Sequence, residues 1–218
     1  MKQLPDQPQA NSAKGIWFVF PDSEAIFKVW LSTLTGKEKV FANEELIYET
    51  RNITRLHTIY DLEYGGKNYE VEIKTIALML FTIECNLFRE GRIIGAQLCK
   101  MNEMGLLQVD ELVDREKPQA RALSRYRSTA HRYLQEYDLA KAKAQYSWVT
   151  EVEPGDAESH FYLACIASLE ENVSLALHHL EIALELVLNG RDRILSIDHL
   201  AYLRIQPEFA SLRDKYGF

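Results

Sequence analysis

The sequence predicts an α+β chain with two segregated domains, an N-terminal antiparallel β-sandwich and a C-terminal stack of α-helices. Over residues 14–101, short runs of β-branched and aromatic residues end at Gly, Asn or Asp, as in strands joined by turns. Beyond residue 118, apolar residues recur with a period of about 3.6, in stretches rich in Ala, Leu and Glu. The 218 residues are enough for two domains of ordinary size.

Composition places the chain among ordinary globular proteins. Hydrophobic residues make up 47% and charged residues 26%, which argues against disordered, collagen-like and disulfide-scaffold classes. The 25 Lys and Arg residues against 32 Asp and Glu residues give a net charge of −7, so the chain has no overall attraction for nucleic acid or anionic lipid. The longest apolar run, residues 76–83, is far shorter than the roughly 20 residues of a spanning helix, and no membrane span is expected.

The N-terminus and the cysteines indicate a cytoplasmic location. Residues 1–13 hold two prolines, an Asp and several Gln instead of the apolar core of a signal peptide, and we expect a disordered lead-in there. Cys85, Cys99 and Cys165 are odd in number and lack CxxC spacing. Neither a disulfide framework nor a zinc motif is therefore predicted.

The β domain is predicted to contain seven or eight short strands. The first four cover residues 16–20, 25–31, 39–41 and 46–48. A hairpin over residues 56–73 turns at Gly65 and Gly66, because a Gly-Gly pair supplies the positive φ values of a tight turn. Apolar and acidic residues alternate over residues 69–73, which predicts one buried side and one solvent-facing side.

A second hairpin is predicted over residues 77–98, with its turn at residues 89–91. Alternation along its first arm places Cys85 on the core face. The other residues on that face are Ala77, Met79, Phe81, Ile83 and Leu87, and the opposite face carries Thr82, Glu84 and Asn86.

These turns and alternations resemble β-sandwich domains of the Fas apoptotic inhibitory molecule family. The resemblance rests on residues 35–40, 43–46, 65–72 and 84–93. It implies an all-β interaction domain with no catalytic residues to transfer to this chain.

Residues 102–118 are predicted to form a linker with one helical turn, and residues 119–218 the helical domain. Within it, large and small residues recur with a period of 34 residues. The positions in the first unit are Tyr126, Ala130, Tyr133, Ala142, Tyr146, Val149 and Pro154, and those in the second are Leu163, Ala164, Ala176, Leu180 and Ala183.

This pattern resembles the tetratricopeptide repeat, which implies two antiparallel helix pairs that approach closely at the alanines. Asp138 and Asn172 then lie near the turns within the pairs. Thr129, His160 and Leu188 depart from the pattern, and a generic helical bundle is the alternative. Further helices over residues 195–203 and 207–212 resemble a closing segment that covers one end of the stack, with Phe209 and Leu212 packed back on it.

Candidate chemistry is sparse, and the sequence predicts a protein that is not an enzyme and needs no metal or cofactor. Cys85 or Cys99 with His57 could supply a nucleophile and a base, but Cys85 lies on an apolar face, where a thiol behaves as a small hydrophobe. His178 and His179 are adjacent, hence about 100° apart on a helix, without a further ligand at zinc spacing. Nucleotide-binding and serine-hydrolase motifs do not occur.

Positive charge concentrates in the first predicted helix, which raises the question of nucleic-acid binding. The arginines there are Arg121, Arg125, Arg127 and Arg132. Their spacing scatters them around the helix, and the chain is acidic overall, so nucleic acid is not expected as a partner.

A peptide surface follows from the repeat resemblance, because the first helices of such pairs line a concave face. It implies a site made by Arg127 and His131 of the first unit beside Phe161, Tyr162 and Cys165 of the second. In the other interpretation, Phe161 and Tyr162 pack against the terminal helices.

The predicted function is a non-enzymatic adaptor or scaffold that docks a protein or peptide partner, with self-association through the incompletely covered stack as a further expectation. The alternative is a small-molecule-binding or enzymatic β domain regulated by the helices. An apolar cavity converging on His57 or Glu84 would favour that alternative, whereas a filled sandwich core would count against it.

Overall fold

The computed structural model describes residues 4–53, 56–77 and 82–218 and divides the chain into two compact units, Met1–Ala120 and Arg121–Phe218. Strands lie in the first unit, and helices make up the second. The predicted α+β class with segregated elements is confirmed. Among the described residues, no helix combines the length and the apolar character needed to cross a membrane.

The first sheet is an antiparallel meander in which each strand pairs with the next one along the chain. Its strands are β1 (Gln9–Asn11), β2 (Gly15–Pro21), β3 (Ile26–Leu31), β4 (Lys37–Ala42) and β5 (Glu45–Arg51). Strand β1 lies inside the segment expected to be a disordered lead-in, so that expectation was wrong for these residues. The segment is held by pairing of β1 with β2 and by an ion pair between Asp6 and Lys28 at 3.4 Å, neither of which local apolar alternation reveals.

The second sheet is a separate antiparallel meander with the order β10-β9-β8-β7-β6. Its strands are β6 (His57–Tyr64), β7 (Lys67–Ala77), β8 (Thr82–Arg89), β9 (Arg92–Met101) and β10 (Leu107–Glu111). The predicted turns lie at Gly65 and Gly66, with φ of 59° and 72°, and at Glu90 and Gly91, with φ of 47° and 75°. The predicted positions of Met79 and Phe81 lie outside the described residues.

Strand β10 occupies the middle of the segment predicted to be a linker, which corrects that prediction. Its residues pair with β9, from Leu107 opposite Met101 to Glu111 opposite Gln97. Leu107 and Val109 pack against the sandwich core. Only this tertiary contact distinguishes a five-residue edge strand from a linker with scattered apolar residues.

The inward faces of the two sheets share one apolar core, which extends from Ile16 on β2 to Cys99 on β9. Cys85 is fully buried in it, as predicted. The sheets approach closely at Gly95, where a Cβ atom would lie 2.4 Å from the ring of Phe20. A side chain at Gly95 would therefore push the two layers apart.

The opposite side of the second sheet corrects one prediction. Glu70 and Glu72, expected to face solvent, are buried, as are Glu84 and Asn86. Asn86 Nδ2 donates to Glu72 at 2.8 Å and to Glu84 at 2.7 Å, and His57 Nε2 lies 2.8 Å from Glu72. Shared hydrogen bonds offset the cost of burying these carboxylates, which sequence alternation does not show.

Four long helices and a segmented tail form the helical part of the chain. They are α1 (Glu116–Gln135), α2 (Leu139–Val152), α3 (Ala157–Leu169), α4 (Val173–Glu185), α5 (Arg193–Ser196), a 3₁₀ turn (Asp198–Leu200), α6 (Ala201–Arg204) and α7 (Pro207–Tyr216). The 34-residue recurrence is visible in the turns that join α1 to α2 and α3 to α4. Tyr137 and Glu171 are left-handed, with φ of 59° and 60°, and the side chains of Asp138 and Asn172 each accept a bond from the backbone N–H three residues on.

The alanines of this recurrence lie in the packed cores of the helical unit. Ala130, Ala142, Ala164 and Ala176 are all 0% exposed. The tail covers the second helix pair, because Phe209 and Leu212 of α7 pack into the same core as Phe161, as predicted. Pro207 begins α7, where its missing N–H costs nothing.

Candidate functional site

The predicted peptide-binding residues lie on two helices of the second unit. Arg127 and His131 are four residues apart on α1 and therefore share one helix face. Phe161, Tyr162 and Cys165 lie on α3. The structure brings His131, Tyr162 and Phe161 together: the Tyr162 ring is 5.3 Å from the His131 ring and 5.4 Å from the Phe161 ring, both in edge-to-face geometry.

Tyr162 is the centre of this group. Its ring stacks on that of Tyr146 on α2, with centroids 5.2 Å apart and planes 15° apart. Burial, followed by the nearby Glu158 carboxylate, raises the pKa of Tyr162, so its hydroxyl is neutral at physiological pH. His131 is exposed beside it. Together they present a pre-ordered aromatic surface with one side towards solvent.

Arg127 is not the free cation that the sequence implies. Its Nε donates to Asp156 at 2.7 Å and its Nη2 to Glu153 at 2.5 Å. Although burial acts to lower it, these two carboxylates raise the pKa of Arg127. The residue joins α1 to the start of α3, and its charge is neutralised within the chain.

Phe161 and Cys165 are not open to a partner while the tail covers them, which corrects their prediction as directly accessible binding residues. Both are 0% exposed and lie in a core shared with tail residues Ile194, Leu200 and Leu203. The interpretation in which Phe161 packs against the terminal helices therefore describes this residue. Burial also raises the pKa of the Cys165 thiol to about 12, so it is not a nucleophile at neutral pH.

Arg193, at the start of α5, is the site residue that sequence reasoning missed. Its Cζ lies 4.2 Å from the centroid of the Phe161 ring and 5.9 Å from that of Tyr162. Its Nη1 donates to Glu158 Oε1 at 2.8 Å, and its Nη2 donates to the other oxygen of the same carboxylate. No repeat or periodicity links positions 35 residues apart in this way, so no sequence signal could have identified the pair.

The thiols of the β unit do not form a nucleophile–base pair with His57. Burial, reinforced by Glu38, Glu72 and Glu84, raises the pKa of Cys85 well above its usual value, and burial raises that of Cys99 to about 11. His57 bonds Glu72 on the side of the sheet opposite the Cys85 thiol. In the described part of the chain, no cluster of three His, Cys, Asp or Glu side chains could hold a metal ion.

The β unit has an apolar groove at one end of its two sheets. It has a volume of about 460 Å³ and lies between the β1–β2 turn, the β3–β4 loop and the β9–β10 turn. Leu34, Met101 and Leu106 line it with large exposed apolar side chains, and its lining holds no charged residue. The groove does not include His57 or Glu84.

No protein-family model matches this chain, and no curated protein and no solved structure matches it either.

Proposed function

We propose that this protein is a non-enzymatic adaptor whose helical unit, a short tetratricopeptide-like stack, docks a protein or peptide partner. The observation that carries the proposal is the edge-to-face pair of exposed His131 and half-buried Tyr162, set on the stacked ring of Tyr146. Interface hot spots are enriched in such rigid aromatic side chains, because they bury a large area at a small entropic cost.

The helix pairs support the tetratricopeptide-like assignment. Both turns within the pairs have a left-handed residue followed by a side-chain cap, and the two turns are 34 residues apart. In such pairs the first helices, here α1 and α3, present the recognition face. His131 and Tyr162 lie on these two helices.

His131→Glu tests the proposal in the full chain. It places a charge on the aromatic surface without disturbing a buried residue, so we expect at least a tenfold weaker affinity for the partner. Proteins captured from a source lysate by the wild type but not by His131→Glu are purified, and their affinity for both chains is measured by titration calorimetry.

His178→Glu is the matched control, since His178 is also an exposed helical histidine but lies on α4. The proposal requires wild type and control to bind the purified partner equally. The same capture profile and the same affinities for all three chains would overturn it.

A second candidate function, binding of an uncharged apolar small molecule by the β unit, is favoured by the groove at Leu34, Met101 and Leu106. Its volume falls within the range of roughly 300–1,000 Å³ that is typical of small-molecule sites. The groove adjoins the apolar core of the two sheets at Ala10 and Leu107.

A neutral solvatochromic dye tests this candidate. We expect saturable binding that Leu34→Asp weakens at least tenfold, because a carboxylate would enter an uncharged lining. Leu195→Asp, at an exposed leucine of α5, is the control. Equal dye binding by both variants would exclude the groove.

A further inference from the structure

Side chains of α3 form a complete set of groups for binding a guanidinium, and the chain's own Arg193, at the start of α5, occupies it. Glu158 supplies two carboxylate oxygens to Nη1 and Nη2. The Phe161 ring lies under the guanidinium, with Cζ 4.2 Å from its centroid, and Tyr162 flanks it at 5.9 Å.

This set selects arginine over lysine. A planar guanidinium matches the two carboxylate oxygens with two parallel hydrogen bonds and can lie flat on an aromatic ring. A lysine ammonium is a compact, strongly hydrated charge that offers neither the fork nor the plane. The residue types and distances therefore describe a recognition site for one side chain.

Arg193 fits the site incompletely. Its Nε is buried and donates to no acceptor among the described residues, and a buried unmet donor costs free energy. The segment that carries Arg193 has little regular structure. Helix α5 has four residues, and Val187 and Gly190 before it have φ of 61° and 65°. Val187, Asn189 and Asp192 on this approach are exposed.

We propose that Glu158, Phe161 and Tyr162 form a subsite for an arginine side chain of the docked partner, and that Arg193 occupies the subsite until the partner's arginine replaces it. The inference rests on the proposed function and specifies its partner class as an arginine-bearing segment. Tyr162 belongs to both surfaces, so a partner seated against His131 reaches the subsite directly.

The exchange swaps one guanidinium for another, so the incoming arginine makes the same hydrogen bonds and the same ring stacking that Arg193 gives up. Arg193 therefore acts as an internal competitor. If it fills the subsite for about nine-tenths of the time, removing it strengthens arginine binding about tenfold, because only the vacant fraction binds.

The experiment titrates the ¹⁵N-labelled full chain with N-acetyl-arginine amide and follows the backbone amides of α3 by NMR. The matched probes are N-acetyl-lysine amide, which keeps the positive charge without the planar group, and N-acetyl-citrulline amide, which keeps the planar shape without the charge. We expect Arg193→Ala to bind the arginine probe about tenfold more tightly than the wild type, and each matched probe to bind that variant at least fivefold more weakly. Glu158→Gln, added to Arg193→Ala, should abolish the preference for arginine.

Arg213→Ala is the control for the loss of an arginine, because Arg213 lies on α7 and pairs only with its neighbour Asp214 at 3.7 Å among the described residues. It should bind like the wild type. A second measurement needs no variant: in the wild type, saturating arginine probe should shift the Arg193 side-chain Nε resonance with the same concentration dependence as the α3 amides.

Equal affinity of Arg193→Ala and the wild type for the arginine probe, or equal binding of the arginine and lysine probes, overturns the subsite. If Arg193→Ala does not fold, the wild type alone decides. An Arg193 Nε resonance that does not shift at saturating arginine probe then overturns the subsite. If a purified partner still binds in the manner that depends on His131, the adaptor proposal stands and only the arginine subsite fails.

Discussion

Single residues in left-handed backbone conformations follow three of the four long helices. Tyr137, Glu171 and Val187 follow α1, α3 and α4 with φ of 59°, 60° and 61°. Glycine is usual at such positions, because a Cβ atom crowds the backbone there. Val187 carries the largest strain, since its side chain is β-branched.

Val187→Gly should raise the free energy of unfolding by about 1 kcal/mol, because it removes that strain from an exposed position. Urea unfolding of the full chain measures the change. Val187→Ala retains a Cβ atom and should gain less. A glycine variant no more stable than the alanine variant would contradict the assignment of strain.

A buried acid inside the sandwich is a second feature of single residues. Glu38 on β4 is 1% exposed and accepts a hydrogen bond from the hydroxyl of Tyr60 on β6. Burial, together with the bond to Glu38, raises the pKa of Tyr60, so the tyrosine remains the donor. This bond joins the two sheets through the core.

Tyr60→Phe should lower the free energy of unfolding by about 1–3 kcal/mol, because it takes a hydrogen-bond donor from a buried carboxylate. Tyr48→Phe is the matched control: Tyr48 packs on Tyr60 with ring centroids 4.7 Å apart but leaves the bond to Glu38 in place. Denaturant unfolding of both variants measures the free energy of unfolding. Equal decreases in the two variants would show that the Tyr60–Glu38 hydrogen bond does not stabilise the fold.

At the scale of elements, α3 and α4 meet at a pair of histidines. Nδ1 of His160 lies 3.1 Å from Nδ1 of His179, so the two rings share at most one proton between these atoms. Burial, together with nearby His178 and Lys143, lowers the pKa of His179 to about 4. Burial also lowers the pKa of His160, where the Asp156 carboxylate opposes the effect.

The stability of the α3–α4 contact should therefore fall with acid. A histidine whose pKa is lower in the folded chain than the usual 6.5 binds more protons when unfolded, so its contribution is present above pH 6.5 and is lost as the pH falls towards 4. Between pH 7 and pH 5 we expect a loss of about 2 kcal/mol.

His179→Gln should reduce this pH dependence, and His178→Gln, at an exposed neighbour, should retain it. Urea unfolding at pH 7 and pH 5 measures the free energy of unfolding of each variant. If the two variants lose the same stability between pH 7 and pH 5, the histidine pair is not the cause.

Elements with a strong local pattern were predictable from the sequence, and those that depend on a neighbour were not. The Gly65–Gly66 hairpin and the turns near Asp138 and Asn172 follow from local chemistry. Strands β1 and β10 are short edge strands that exist because β2 and β9 supply hydrogen-bond partners. Pairing of this kind leaves little trace in the residues themselves.

For the whole molecule, the three cysteines provide a test that covers both units. Cys85, Cys99 and Cys165 are free and buried. The native chain should show no rapidly reacting thiol towards Ellman's reagent at pH 8, and three after denaturation, because buried neutral thiols are neither accessible nor ionised. A rapidly reacting thiol in the native chain would contradict the packing of one of the two cores.

The candidate site was predicted in part. The repeat resemblance placed His131 and Tyr162 on the first helices of two successive units, and the structure brings their rings together. The repeat pattern did not show that the tail covers Phe161 or that Arg193 lies on the Phe161 ring. Both contacts depend on where a segment about 30 residues later folds back.

The class of each half follows from the sequence alone, since β-branched alternation and a helical period reflect which face of an element is buried. The helix pairs follow from it as well, because small residues and polar turn residues recur at a fixed spacing. The burial of polar groups such as Glu72 and Glu38, and the contact of Arg193 with Phe161, become visible only in the folded chain. Burial and ion pairing depend on partners distant in sequence, and a local pattern carries no record of them.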